Sequence, residues 1–130
     1  AAIDYCFDQL KVKDLYVVGW SFGTELALKY AHDGRIKELI LLSPPLIATS
    51  DEDLAFWAKD GRPITALVPE HDDYLKPEAA RARFSKVPNV KEIDVDGAKH
   101  LWVGEPMVYL VLSEIVKVIA PERLPLPEEI

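Results

Sequence analysis

The chain has 130 residues, of which 49% are hydrophobic and 28% are charged, and its formal net charge is −7. This length and balance suit one compact domain with a single core, and no run of about 18 apolar residues exists to span a bilayer. Acidic residues outnumber basic ones by 22 to 15, so the chain would repel a phosphate backbone, and we expect neither nucleic acid nor a membrane as a partner.

The first residues follow a helical pattern. Ile3, Cys6, Phe7 and Leu10 have the spacing of one helix face, yet neither a capping residue nor a methionine precedes them. We therefore expect the chain to be the C-terminal half of a longer protein, or a natural chain that has lost its N-terminal part. Cys6 is the only cysteine, which excludes an internal disulfide and favours a cytoplasmic location.

A short turn joins the first predicted strand to a helix. The apolar run 15–18 continues as Gly19-Trp20-Ser21-Phe22-Gly23, and helix-forming residues follow from Thr24 to Ala31. A serine in a sharp strand-to-helix elbow points out of the sheet, with the next backbone N–H groups aimed at one place. We expect both flanking glycines to permit this close approach, because they lack Cβ. Ser21 is therefore a candidate nucleophile, and a tight turn without chemistry is the alternative.

Strands and helices alternate after this turn. Gly34 ends the helix, Glu38 to Leu42 form the second predicted strand, and Ser43-Pro44-Pro45 ends it. The segment 50–58 predicts a short capped helix that leaves an open site with a small cover. The alternation predicts an α/β fold, a three-layer αβα arrangement in which helices flank a mostly parallel sheet of about four strands.

Polar clusters follow the third and fourth predicted strands. Asp72 and Asp73 come after the strand at 64–68, and His100 comes after the strand at 90–95. The carboxyl ends of parallel strands meet at one edge of a sheet, so an acid and a histidine at these positions can reach the serine of the elbow.

The order Ser21, Asp72, His100 resembles the α/β-hydrolase superfamily, whose triad runs serine, acid, histidine. The resemblance covers the chain from the first helix to the last and implies a larger sheet in the complete enzyme, with a second oxyanion N–H upstream of the elbow. It implies that Ser21 is the nucleophile, His100 the base and then the acid, and Asp72 the carboxylate that orients the imidazole. Phe22 would donate one oxyanion N–H.

The acid is the open assignment within this resemblance. The superfamily usually has a glycine three positions before the aspartate, where this chain has Pro69. Asp72 keeps the expected spacing from the strand end and from the next helix, and Asp73 is the alternative. We place His32 and His71 outside the site, His32 because it lies at a predicted helix C-terminus, where its charge is favourable.

Two tryptophans lie close to these residues in the sequence. Trp20 is inside the elbow, and Trp102 follows the histidine by two residues. Both are candidate walls of an acyl or alcohol pocket, with ordinary packing at the rim of the sheet as the alternative.

The end of the chain predicts two helices and a tail. The helices span Pro77 to Phe84 and Pro106 to Ile119. Three prolines and several acidic residues after them predict an extended, mobile tail without chemistry. We therefore expect a hydrolase-like domain at 1–120 and a tail at 121–130.

These patterns predict a carboxylesterase-like serine hydrolase that acts through an acyl-enzyme on a small ester-like substrate, with a thioester or an amide as variants. A hydrolase-shaped binding or interaction module without turnover is the alternative, and use of the same triad by a transferase, lyase or peroxidase stays open. We expect no cofactor, because the three histidines lack the spacing of metal ligands.

The predicted first strand carries an expectation about partners. Without upstream strands, 15–19 becomes a sheet edge although it is apolar on both faces. Such an edge favours a homo-oligomer or pairing with a missing N-terminal half. We accordingly expect the isolated chain to be weakly active or inactive.

Overall fold

A computed structural model describes residues 1–128. The sheet has four strands: β1 (Leu15–Trp20), β2 (Ile36–Leu42), β3 (Ile64–Pro69) and β4 (Val90–Val95). The helices are α1 (Ala2–Asp8), α2 (Phe22–Tyr30), α3 (Asp51–Asp60), α4 (Pro77–Phe84) and α5 (Glu105–Ile119), followed by a 3-10 turn at Pro121–Arg123. None of the helices in these 128 residues has the length and apolar character needed to cross a membrane.

All strand pairs are parallel, and the strands lie side by side in chain order, β1-β2-β3-β4. A helix connects each strand to the next, as parallel strands require. The predicted α/β fold with a parallel sheet is therefore confirmed. Because the strands run in one direction, all four carboxyl ends meet at one edge of the sheet.

The two faces of the sheet carry separate hydrophobic clusters. Leu39 and Leu41 belong to the larger cluster, which holds apolar residues of α1 to α4, and Ile40 belongs to the smaller cluster with Val111 of α5. Successive side chains of a strand point to opposite faces, so one buried strand supplies both clusters. The result is the predicted three-layer arrangement, with four helices on one face and one on the other.

Helix α3 is part of the helical layer on the face of the sheet that carries the larger cluster. Its predicted cap is present, since Ser50 Oγ accepts from Asp53 N at 3.1 Å and Asp53 Oδ2 accepts from Ser50 N at 3.0 Å. Trp57 is buried and donates its indole N–H to Leu28 O at 2.8 Å. The prediction that this helix forms a small cover over the site is wrong, because its apolar side binds it to α2 and the larger cluster.

The tail begins with a helical turn instead of extended chain. Residues Pro121–Arg123 form the 3-10 turn, and the Tyr109 hydroxyl donates to Leu126 O at 2.8 Å. This contact holds part of the tail against α5. Residues 129 and 130 of the predicted tail lie outside the described residues.

Strand β1 lies at one edge of the sheet. Val18 and Trp20 pair with Ile40 and Leu42, so they share the face of the sheet that α5 covers further along. Val18 is 46% exposed. This apolar strand therefore presents an unpaired backbone edge and a partly open face within the described chain.

An acidic pair on β4 faces α4. Arg81 Nη1 lies 3.3 Å from Glu92 Oε2 and also contacts Asp94. The other carboxylate oxygen of Glu92 is buried without a hydrogen-bond partner among the described residues. Burial, together with the hydrogen bond and charge of Asp94, raises the pKa of Glu92 to about 8, although Arg81 opposes the shift.

Replacing Glu92 should flatten the dependence of stability on pH. Between the ordinary value of 4.5 and about 8, the folded chain keeps a proton on Glu92 that the unfolded chain releases, so the free energy of unfolding falls as the pH rises. Glu92→Gln removes this titration and should lose less stability between about pH 5 and pH 8. Urea unfolding across this range measures the difference. Glu122→Gln, at an exposed position, is the control, and equal slopes for wild type and Glu92→Gln would contradict the prediction.

Candidate active site

Ser21 occupies a strained turn between β1 and α2. Its φ is 52°, in the left-handed region, which costs a residue with a Cβ on the order of 1–3 kcal/mol. Ser21 N donates to Leu42 O at 2.9 Å, which continues the pairing with β2, and Thr24 donates to Ser21 O from its N–H at 2.9 Å and its hydroxyl at 2.6 Å. These bonds hold the sharp turn, and helix α2 begins at the next residue, two positions earlier than predicted.

The approach of strand to helix depends on one glycine. A Cβ on Gly19 would lie 2.6 Å from Gly23 O and 2.8 Å from Thr24 N, whereas a Cβ on Gly23 would meet nothing within 4 Å in the described chain. The prediction that both glycines are needed for close approach is wrong for Gly23. The reason is directional: the strand at Gly19 presses on the helix backbone, while the Cβ position of Gly23 faces open space.

The side chains of Ser21, His100 and Asp72 form a hydrogen-bonded chain. Ser21 Oγ lies 2.7 Å from His100 Nε2, and His100 Nδ1 lies 2.8 Å from Asp72 Oδ2. In a neutral imidazole whose Nδ1–H donates to Asp72, Nε2 is free to accept the serine hydroxyl. Chemically, this arrangement lets a proton pass from serine to imidazole while a carboxylate stabilises the resulting charge.

Both oxygens of the buried Asp72 carboxylate have partners. Oδ2 faces the imidazole, and Oδ1 accepts from Tyr74 N at 2.8 Å and Leu75 N at 3.5 Å. The side chain is 1% exposed, whereas Asp73 is exposed. Pro69 does not prevent this turn, since Asp72 N donates to Pro69 O at 3.3 Å. The structure therefore brings Asp72 to the imidazole.

The other two histidines lie away from this chain of hydrogen bonds. His32 Nε2 lies 2.8 Å from Leu28 O just past the end of α2, and its ring stacks on Phe56 with centroids 3.7 Å apart. The His71 ring is exposed and lies 3.4 Å from Glu70 Oε2. In residues 1–128, no three His, Cys, Asp or Glu side chains are grouped as metal ligands.

Phe22 is the first residue of α2. Backbone N–H groups at this position have no acceptor inside the helix and carry the positive end of the helix dipole. The N–H that follows the serine is therefore available to an anionic oxygen, as the elbow motif predicts.

Two exposed aromatic rings lie beside the imidazole. The ring centroids of Tyr74 and Trp20 are 4.6 Å and 6.2 Å from that of His100, and the two residues are 60% and 49% exposed. Trp102 is buried with α5 in the smaller cluster, so the packing alternative describes it better than the pocket prediction. Sequence reasoning missed Tyr74, although its position two residues after the acid was a usable signal.

Glu25 is a second residue that sequence reasoning missed. This buried side chain accepts at Oε1 from Ala48 N at 2.5 Å, Thr49 N at 3.0 Å and Thr49 Oγ1 at 3.2 Å. Three donors stabilise the buried carboxylate and tie the first turns of α2 to the loop after β2. A glutamate inside a helix gives no sequence signal of such a role.

Comparison with known proteins places this architecture in a class. Residues 1–62 match the family described as the alpha/beta hydrolase fold, and no curated protein sequence matched. The parallel sheet between two layers of helices and the serine elbow agree with that match. The family match covers the first 62 residues, and the described chain has the fold of the α/β hydrolases.

Several solved structures share the fold at low sequence identity. An alpha-beta serine hydrolase homologue from Coxiella burnetii superposes with a TM-score of 0.74 at 18% identity, over 92% of this chain and 55% of that chain. Est1E from Butyrivibrio proteoclasticus gives 0.74 at 21% identity, over 95% and 66%. The esterase domain of a Rhodothermus marinus protein gives 0.74 at 16%, over 91% and 66%. This chain thus spans between 55% and 66% of the length of these three structures.

The two glycines of the elbow should respond differently to alanine. Gly19→Ala forces a Cβ into the backbone of α2 and should destabilise the fold by about 1–3 kcal/mol or more. Gly23→Ala should be neutral or stabilise by up to about 1 kcal/mol, because alanine favours the helix. Urea unfolding of the two variants compares them directly, and equal stabilities would contradict the steric argument.

Proposed function

We propose that this chain is the part of a carboxylesterase-like serine hydrolase that supplies nucleophile, base and acid. One observation carries the proposal: the imidazole of His100 lies within hydrogen-bond distance of the Ser21 hydroxyl on one side and of the Asp72 carboxylate on the other. Such a pairing of alcohol, imidazole and carboxylate is the arrangement that activates a serine for attack on a carbonyl.

The first half of the reaction forms an acyl-enzyme. Ser21 Oγ attacks the carbonyl carbon of the ester as His100 Nε2 takes the hydroxyl proton, and the electron pair of the C=O bond moves to the oxygen. The N–H of Phe22 donates to this oxyanion. When the C–O bond of the leaving alcohol breaks, the imidazolium returns the proton to the alcohol oxygen.

The second half releases the acid. His100 takes a proton from water, whose oxygen attacks the acyl carbon, and then returns the proton to Ser21 Oγ as the acyl bond breaks. Asp72 keeps the imidazole oriented and stabilises its positive charge in both halves. Whether water or another acceptor enters at this stage separates a hydrolase from a transferase.

We further propose an ester with an apolar group beside the scissile bond. The exposed rings of Trp20 and Tyr74 lie next to the imidazole, and Phe22 is 60% exposed. Apolar walls of this kind favour apolar ligand groups. Est1E, one of the structural relatives, has been solved with ferulic acid bound.

The exposed edge of β1 supports a proposal about partners. An apolar edge strand with free backbone groups favours pairing with a further strand, from an N-terminal half or from a second copy. Because we assign a single oxyanion donor within this chain, we expect the isolated 130 residues to be slow: the loss of one such donor costs about 10²–10³ in rate. A cytoplasmic location is proposed from the single cysteine, Cys6.

A fluorophosphonate probe tests the nucleophile. The chain should form a covalent adduct at Ser21, detected by mass spectrometry of the intact protein and its peptides. Ser21→Ala should abolish the adduct, and His100→Ala should slow its formation strongly, since the base is gone. Absence of the adduct under conditions that label a known esterase would favour the alternative of a binding module without turnover.

The two neighbouring aspartates provide a matched pair of variants. Asp72→Asn should slow labelling of Ser21 by up to about 10⁴-fold, because the amide no longer holds the imidazole in the productive tautomer. Asp73→Asn, one residue away and exposed, should stay within about twofold of wild type. A larger effect of Asp73→Asn would transfer the role of the acid to Asp73.

A further inference from the structure

The backbone carbonyl of His100 accepts hydrogen bonds from two different strand ends. Trp20, the last residue of β1, donates from its indole Nε1 at 3.2 Å, and Ser43, the residue after β2, donates from its hydroxyl at 3.0 Å. A carbonyl oxygen has two lone pairs, so the two side chains satisfy it completely.

The path of the loop explains why such contacts matter. His100 follows β4, while Ser21 follows β1 at the opposite edge of the sheet. Adjacent strands lie about 4.8 Å apart, so the loop must reach across about 14 Å to bring the imidazole to the serine. A loop of this length without such contacts would spend much of its time with the imidazole away from the serine.

The near end of this loop is attached to the two residues that follow β3. Gly97 N donates to Glu70 Oε2 at 2.6 Å, and His71 N donates to Ala98 O at 2.9 Å. Beyond residue 98, the donors on the His100 carbonyl come from the last residue of β1 and from the residue after β2. The loop is thus held at both ends of its path over the sheet.

Ser43 has the features of a side chain placed for this contact. It is fully buried, and its φ of 51° lies in the left-handed region, which serine seldom adopts. Ser43 N still donates to Leu67 O at 3.0 Å, so the strand pairing is kept while the hydroxyl turns toward His100. Trp20 complements it from the next strand with a half-exposed ring.

We propose that Trp20 and Ser43 are positioning residues that hold the His100 loop over the elbow. They act through the backbone carbonyl and fix the distance from the imidazole to Ser21 Oγ. The effect on reactivity rests on the proposed hydrolase function, whereas the effect on the position of the imidazole does not.

Two single variants and their combination test the proposal on the full chain. Trp20→Phe keeps an aromatic ring but removes the indole N–H, and Ser43→Ala removes only the hydroxyl. Each should slow fluorophosphonate labelling of Ser21 by about three- to tenfold, the effect of one lost hydrogen bond. The factor by which the double variant slows labelling should exceed the product of the two single factors. Each single variant keeps one donor on the carbonyl, whereas the double variant keeps neither.

The matched control is Ser85→Ala. Ser85 Oγ also donates to a backbone carbonyl, that of Ala82 at 2.8 Å, but on the exposed end of α4. Its labelling rate should equal that of wild type. Rates within twofold of wild type for Trp20→Phe, Ser43→Ala and the double variant would overturn the proposal.

Proton NMR separates this proposal from the catalytic one. The Nδ1–H of His100, hydrogen-bonded to Asp72, should give a low-field resonance. This resonance should broaden or disappear in the double variant, while the backbone amide resonances keep the dispersion of a folded protein. If Ser21 is never labelled but this resonance responds, the positioning role stands and the hydrolase function fails. An unchanged resonance in the double variant would overturn the positioning role. Should Ser43→Ala not fold, Trp20→Phe alone decides, since its side chain is half exposed.

Discussion

The close contact between Gly19 and the backbone of α2 is the constraint on which the site depends. Only the absence of a Cβ allows the strand end to lie against Gly23 and Thr24. In the same turn, Ser21 has a positive φ of 52°, and α2 begins at the next residue. The same turn therefore exposes the hydroxyl and places the Phe22 N–H beside it, so a steric requirement at one residue creates two elements of the proposed chemistry.

Burial and hydrogen bonding distinguish Asp72, the proposed acid, from its neighbour Asp73. Asp72 is almost inaccessible, yet each of its oxygens has a donor, from the imidazole or from the backbone of the following loop. A buried carboxylate with all its hydrogen bonds made is tolerated, and its field is strong in a region of low dielectric. Asp73, only one residue later, lacks both burial and these contacts. Two neighbouring aspartates therefore have different environments.

The sheet and its loops act together to assemble the site. Parallel strands bring the carboxyl ends to one edge, but β1 and β4 lie at opposite edges of the sheet. The loop bearing His100 bridges this distance with hydrogen bonds to residues at or just after the carboxyl ends of β1, β2 and β3. The Glu25 carboxylate adds a further tie by holding the loop after β2 against α2. The site is therefore a property of all four strands of the described chain.

The sequence by itself determined the parallel α/β fold, the bounds of most elements to within about two residues, the elbow at Ser21 and the candidate positions of acid and histidine. These follow from local patterns: hydrophobic periodicity, capping residues, and polar residues after each strand. Only the tertiary structure decided that Asp72 and not Asp73 meets the imidazole, that Gly23 has no steric role, and that α3 packs as a layer. It also revealed Tyr74, Ser43 and Glu25. Each of these depends on the distance between residues far apart in the chain or on the direction of one side chain. Local sequence patterns encode neither the distance nor the direction.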